Sequence, residues 1–223
     1  MKILSIDTSS DTCSVSVLEN NAVIKELLLD NGKTHSENLM PLVQELFIEA
    51  NISLEQIDLI ACNKGPGSFT GIRIGIATAK ALAEVLNIPV IGVSSLDCLA
   101  HNVESPTNNI CTLINANNNQ VYFSIYNKDY SRITDYLADD IETVLPIATK
   151  YENITFVGDG AKAHKDLLQS TFKNCTFNEN NVQHSFNIGI CAFDLFNKGF
   201  VENADTVLPM YLKKSQAERL KQI

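Results

Sequence analysis

Residues 2–7 carry the apolar side chains Ile3, Leu4 and Ile6 and give way to a polar turn, Thr8-Ser9-Ser10-Asp11. Residues 13–18 then alternate: Cys13, Val15 and Val17 point one way, Ser14 and Ser16 the other. Period two predicts a strand with one face in water. Residues 22–29 supply a third strand, and Asn20-Asn21 is a turn pair, so the opening reads as an antiparallel meander. Leu39, Leu42, Val43, Leu46, Phe47 and Ala50 recur at three- and four-residue steps, which predicts a helix with one apolar stripe. Thr34 and Glu37 fit a capping box at its start. Pro41 is compatible with this helix only in its first turn or at a kink. Residues 57–62 form a short apolar strand, 63–71 a glycine-rich loop, 72–86 a second helix and 89–93 a further buried strand. Along the second helix Gly71, Gly75, Ala79 and Ala83 stand four apart, flanked by Ile72 and Ile76. That small-residue face lets another backbone come close.

The order β-β-β-α-β-α-β, three antiparallel strands followed by parallel crossovers, is that of one actin-like (ribonuclease H-like) α/β lobe. The pattern then recurs. At an offset of 108 residues Ile6 falls on Ile114, Asp7 on Asn115, Cys13 on Val121, Val15 on Phe123, Ser16 on Ser124 and Val17 on Ile125. Strands at 133–137 and 154–157 and helices at 141–148 and 160–171 continue the second copy, and a helix over 188–200 closes it. Two duplicated βββαβαβ lobes are therefore expected, the second degenerate, with residues 1–103 in one and 104–223 in the other. The seam lies near 103–108, and the terminal segment is free to pack back on the first lobe.

Length and charge narrow the classes. At 223 residues the chain can bury a large core without disulfides or metal. Its net charge of −9 makes it a poor stand-alone ligand for phosphate backbones. No apolar run reaches membrane length, and a carboxylate, Asp7, interrupts the start before a signal core could form, so a cytoplasmic protein without membrane attachment is expected. The six cysteines contain no Cys-x-x-Cys and read as reduced, mostly buried thiols.

Candidate chemistry is sparse. Asp7, with Thr8 and Ser9, could hold hydrated Mg²⁺ under a phosphate, or simply cap the turn. Gly65, Gly67 and Ser68 lie in a loop that runs into a helix start, where either an anion or a tightly packed backbone fits. It is not a Walker loop, because no Gly-Lys-Ser/Thr follows. His35, His101, His164 and His184 are isolated, so no metal site is expected. His35 reads as a capping or packing group and His101 as a surface or linker residue. No Gly-x-Ser-x-Gly elbow exists. Gly158-Asp159-Gly160-Ala161 reads as a strand-to-helix turn, with nucleotide contact the alternative.

Ile6-Asp7-Thr8-Ser9, the stretch from Gly65 to Gly75 (Gly-Pro-Gly-Ser-Phe-Thr-Gly-Ile-Arg-Ile-Gly), Pro89-Val90-Ile91-Gly92-Val93-Ser94-Ser95-Leu96 and the closing Leu208-Pro209-Met210-Tyr211-Leu212 together resemble the TsaB (YeaZ) family of the actin-like ATPase superfamily. The resemblance spans most of the chain. It implies a partner of the catalytic subunit TsaD in making threonylcarbamoyladenosine beside the tRNA anticodon. Where TsaD carries two metal-binding histidines, the shared frame places Ser95 and Leu99 here, and leucine cannot ligate a metal. Where the family reads Ile-Asp-Ala-Arg in the second lobe, this chain reads Ile114-Asn115-Ala116-Asn117.

The resemblance thus implies a non-catalytic scaffold without cofactor, one that pairs with TsaD, helps recruit the ATPase TsaE, meets tRNA only through the complex and forms a homodimer when alone. The alternative is a stand-alone ATPase or a glycopeptidase-like hydrolase. The expected partner surface is the first two helices, at Leu39, Leu42, Val43, Leu46, Phe47, Ile72, Gly75, Ile76 and Ala79, with the lobe's own core as the other possible use of those faces.

Overall fold

The computed structural model describes residues 1–32 and 34–213. They form two compact units. One comprises residues 1–98 with 183–210, the other 99–182 with 211–213.

The first unit is built on a five-stranded sheet of order β3-β2-β1-β4-β5. Its strands are β1 (Lys2–Asp7), β2 (Cys13–Glu19), β3 (Ala22–Leu29), β4 (Leu59–Gly65) and β5 (Val90–Ser94). β1, β2 and β3 pair antiparallel, and β4 and β5 extend the sheet in parallel from β1. Helices α1 (His35–Ala50) and α2 (Phe69–Leu86) cover one face. The Thr34 capping box is present, and α1 runs unbroken through Pro41, whose ring faces solvent in the second turn. α2 begins three residues earlier than its periodicity predicts, because Ser68 caps it by accepting the N–H of Gly71. A short helix, α3 (Ser95–Ala100), follows β5 directly.

The second unit repeats this plan. Its sheet has the order β10-β9-β6-β7-β8. The strands are β6 (Asn109–Asn115), β7 (Gln120–Tyr126), β8 (Leu137–Asp140), β9 (Ile154–Val157) and β10 (Cys175–Phe177), with α4 (Ile141–Ala148), α5 (Asp159–Ala163) and α6 (Lys165–Thr171) between them. The helix expected over 160–171 is broken at His164, whose φ of −108° leaves the helical range. The strand expected over 133–137 begins only at Leu137, opposite Phe123.

The ungapped offset needs correcting at the first strand of the repeat. Ile6 pairs with Val15 on the helix-covered face, and Leu113 pairs with Phe123 on the corresponding face. The counterpart of Ile6 is therefore Leu113, not Ile114, and the counterpart of Asp7 is Ile114, not Asn115. The 108-residue offset holds for β7, but the turn before it has gained one residue relative to the first copy, and a one-residue slip exchanges the faces of a strand.

The last helix, α7 (Ser185–Asn197), closes the first unit rather than the second. Ile188, Cys191 and Ala192 pack against Ile3, Leu18, Leu59, Ala61, Ile91 and Val93 on the sheet face opposite α1 and α2. Ser14 and Ser16, expected in water, are consequently fully buried. The nine residues offered as a partner surface are also corrected. Leu39, Leu42, Val43, Leu46, Ile72, Ile76 and Ala79 belong to the core between α1, α2 and the sheet, and Phe47 packs against it half-buried. A Cβ on Gly75 would lie 2.5 Å from Thr8 Oγ1.

Gly75→Leu should therefore destabilise the protein by roughly 3 kcal/mol through overpacking. Ile48→Ala, at a side chain 80 % exposed, should change stability by less than about 0.5 kcal/mol. Urea unfolding of the two variants measures both, and equal midpoints would contradict the assignment of Gly75 to the core.

Candidate functional site

A buried polar network of the first unit sits where β1 ends. Asp7 is 1 % exposed. Its Oδ1 accepts the backbone N–H of Ser9 at 2.7 Å and its Oδ2 the side-chain amide of Asn63 at 2.9 Å. Asn63, on β4, also donates to Ser9 Oγ at 3.0 Å, while its Oδ1 accepts the Gly65 N–H at 2.8 Å and the Ser95 hydroxyl at 2.6 Å. β1, β4 and α3 are thereby joined by one buried network. Burial is the dominant influence on Asp7 and raises its carboxyl above the ordinary value of 3.8, with the Ser9 and Asn63 hydrogen bonds pulling the other way.

Asn63 escaped the sequence reading. Its signal was there: an amide ending the apolar run Leu59–Cys62 must find partners inside, since buried polar groups are almost always hydrogen-bonded.

The glycine-rich loop is pressed onto this turn. A Cβ on Gly67 would lie 2.3 Å from the Ser9 carbonyl oxygen, and one on Gly71 would lie 1.9 Å from that of Thr8. Ser68 N–H donates to Ser9 O at 2.7 Å, and Thr8 Oγ1 donates to Gly71 O at 2.7 Å. Gly65 has a φ of +102°, which glycine adopts without strain. Of the two uses open to the loop, close packing is the one its contacts serve: backbone carbonyls, not a cavity, meet Gly67 and Gly71. Thr8 and Ser9 are both buried.

The remaining candidates fall into place individually. His35 Nε2 lies 2.9 Å from Ser10 O at the start of α1. His101 stacks on Tyr130 with ring centroids 4.2 Å apart. Asp159 Oδ1 accepts the N–H groups of Asn115 and Gly160 at 2.9 and 2.8 Å, which makes residues 158–160 a tight turn from β9 into α5. Asn115 Oδ1 accepts the Asn117 N–H at 3.0 Å, and Asn117, Asn118 and Asn119 all have positive φ. Ser95 is fully buried, and Leu99 is 1 % exposed. Burial pushes the thiol of Cys13 up to about 11 and that of Cys62 up to about 12. Among the described residues no group of three or more His, Cys, Asp or Glu is placed to hold a metal ion, and no helix is long and apolar enough to cross a membrane.

The duplicated sheet order, with crossover helices after the meander, defines an actin-like α/β protein. ROK hexokinase from Thermus thermophilus has this fold at a TM-score of 0.54 and 9 % identity, covering 90 % of this chain and 100 % of that one. Much nearer is YeaZ from Pseudomonas aeruginosa, at a TM-score of 0.80 and 26 % identity over 95 % of this chain and 99 % of that one. The tRNA threonylcarbamoyladenosine biosynthesis protein TsaB of Bacillus subtilis is 30 % identical over 222 residues, 98 % of this chain and 96 % of the relative. The family model of TsaD, tRNA N6-adenosine threonylcarbamoyltransferase, matches residues 30–221. The chain belongs to the TsaB family, which the TsaD model also covers.

Ionisation of Asp7 sets a testable pH dependence. Its native carboxyl keeps a proton to higher pH than the unfolded one, so its contribution to stability is fully present below 3.8 and is lost as pH rises through the raised native value. Asp7→Asn cannot ionise. Its unfolding free energy relative to the unsubstituted protein should rise across that window and level off above the raised native value. Urea titrations over a pH series follow this difference, and a difference that does not move with pH would exclude Asp7 as its source.

Proposed function

We propose that this chain serves tRNA threonylcarbamoyladenosine biosynthesis as a non-catalytic subunit that pairs with a TsaD-type catalytic subunit and helps recruit the ATPase TsaE. The observation that carries this reading is the fate of Ser95 and Leu99, the residues at the positions of TsaD's metal-binding histidines. The Ser95 hydroxyl is spent on Asn63 inside the fold, and Leu99 offers no donor atom. The net charge of −9 supports contact with tRNA through the complex rather than by this chain alone. Six free thiols and the absence, among the described residues, of a membrane-length helix fit a cytoplasmic location.

The partner surface in this reading is the outward side of the same two helices whose inner stripe is core. Met40 and Ile48 on α1 and Phe69 and Val85 on α2 are exposed, Ile48 and Val85 to 80 % and 82 %. Such side chains can be buried against another helix pair without disturbing the lobe beneath. In the absence of TsaD the same side would pair two copies of this chain.

Ile48→Asp and Val85→Asp should each weaken association with TsaD at least tenfold while leaving the melting temperature of the isolated chain unchanged. Co-purification with TsaD, and a tRNA modification assay with and without this chain, test the role. ATP turnover by the isolated chain, or one equivalent of bound iron or zinc in elemental analysis, would overturn the non-catalytic reading.

A further inference from the structure

The loop joining β3 to α1 contains Asn31-Gly32, the single Asn-Gly pair of an asparagine-rich chain. Both residues are exposed. Gly32 has a φ of +70°, and no atom lies within 4 Å of where its Cβ would be. The Asn31 side chain makes a reciprocal amide pair with Asn38 in α1: Asn31 Nδ2 donates to Asn38 Oδ1 at 3.2 Å, and Asn38 Nδ2 donates to Asn31 Oδ1 at 2.9 Å. Asn38 itself is only 7 % exposed.

We propose that Asn31 is a self-modifying site, converted to aspartate and isoaspartate through a succinimide, and that the pair with Asn38 is the brake on that conversion. The backbone nitrogen of Gly32 attacks Asn31 Cγ, and the bond from Cγ to Nδ2 breaks. Ammonia leaves, carrying the proton released by the Gly32 amide. Water then opens the ring at either carbonyl carbon, giving aspartate or isoaspartate without any change of oxidation state. Glycine is the residue that lets this attack occur, since it brings no side chain against the forming ring and its backbone rotates freely. Elsewhere in the chain each asparagine precedes a residue with a side chain, as at Asn117, Asn118 and Asn119. In the folded protein the attack requires the Asn31 carboxamide to turn away from Asn38. That step breaks two hydrogen bonds and leaves the amide of Asn38, nine-tenths buried, without those partners.

The product changes the loop as well as its charge. A carboxylate at position 31 still accepts from Asn38 Nδ2 but cannot donate to Asn38 Oδ1. The isoaspartate form also lengthens the backbone immediately before the Thr34 cap of α1.

Peptide mapping by mass spectrometry after incubation of the full chain at pH 8 and 37 °C tests this. Amide-to-acid conversion should appear at Asn31 and be absent at Asn117–Asn119. It should be severalfold faster in Asn38→Ala and nearly abolished in Gly32→Ala. Asn38→Asp, which retains an acceptor for Asn31 Nδ2, should fall between the unsubstituted protein and Asn38→Ala, and serves alone if the alanine variant does not fold. An intact Asn31 in both the unsubstituted protein and the Asn38 variants would overturn the site. Conversion at the same rate with and without the Asn38 amide would overturn the brake.

Discussion

The first unit depends on two stretches of backbone coming closer than side chains allow. The turn after β1 and the start of α2 are in main-chain contact, with Gly67 and Gly71 set against the carbonyl oxygens of Ser9 and Thr8. A methyl group at either glycine would have to displace backbone, which has nowhere to go in an interior packed to crystal-like density. This contact fixes where β1 stops, how α2 leaves β4 and where Asp7 is held. The Asp7–Asn63–Ser95 network is its polar complement: once the backbones have closed, no water reaches the carboxylate, and the amide of Asn63 supplies the hydrogen bonds that water would have made.

What could be read from the residues divides along the same line. The meander, α1, α2 and the duplicated order were legible because each is written in a short period, two for a strand and three or four for a helix. α1 even carried its cap. Covering of the second sheet face was harder to see, because it depends on a helix that begins only at Ser185, far beyond the end of β5 at Ser94. A clue lay in β4 and β5, whose unbroken apolar runs are the mark of strands buried on both sides. Serines misled: Ser14 and Ser16 have the spacing of a wet face, yet they lie beneath α7, where their small size and that of Gly189 let the helix come down onto the sheet. The repeat misled in the opposite sense. Sequence similarity at a constant offset ran through β6, while one extra residue in the following turn had moved that strand by one residue and reversed which side chains face the helices.

The two sides of α1 and α2 illustrate why an apolar pattern alone does not locate a partner. The stripe that stands out in the sequence is continuous because the core demands continuity. The exposed apolar residues, Met40, Ile48, Phe69 and Val85, are scattered among polar neighbours and carry no periodic signature of their own. Distinguishing them took the burial of each residue, which periodicity does not encode. Ser95 is a similar case. The resemblance to TsaD singled it out by its place in a shared frame, whereas only the geometry shows that its hydroxyl donates to Asn63.

α7 carries a consequence for how the protein is made. A ribosome delivers β1 through β5 first, then the whole of residues 99–182, and only afterwards the helix that covers the second face of the first sheet. Throughout that interval Ile3, Leu18, Leu59, Ala61, Ile91 and Val93 lack their permanent cover, while β6 to β10 and α4 to α6 have all been delivered. The sheet that is made first thus receives its second cover only after every strand of the other sheet has emerged, and the nascent chain passes through a stage in which an apolar sheet face must be shielded by chaperones or by temporary contacts.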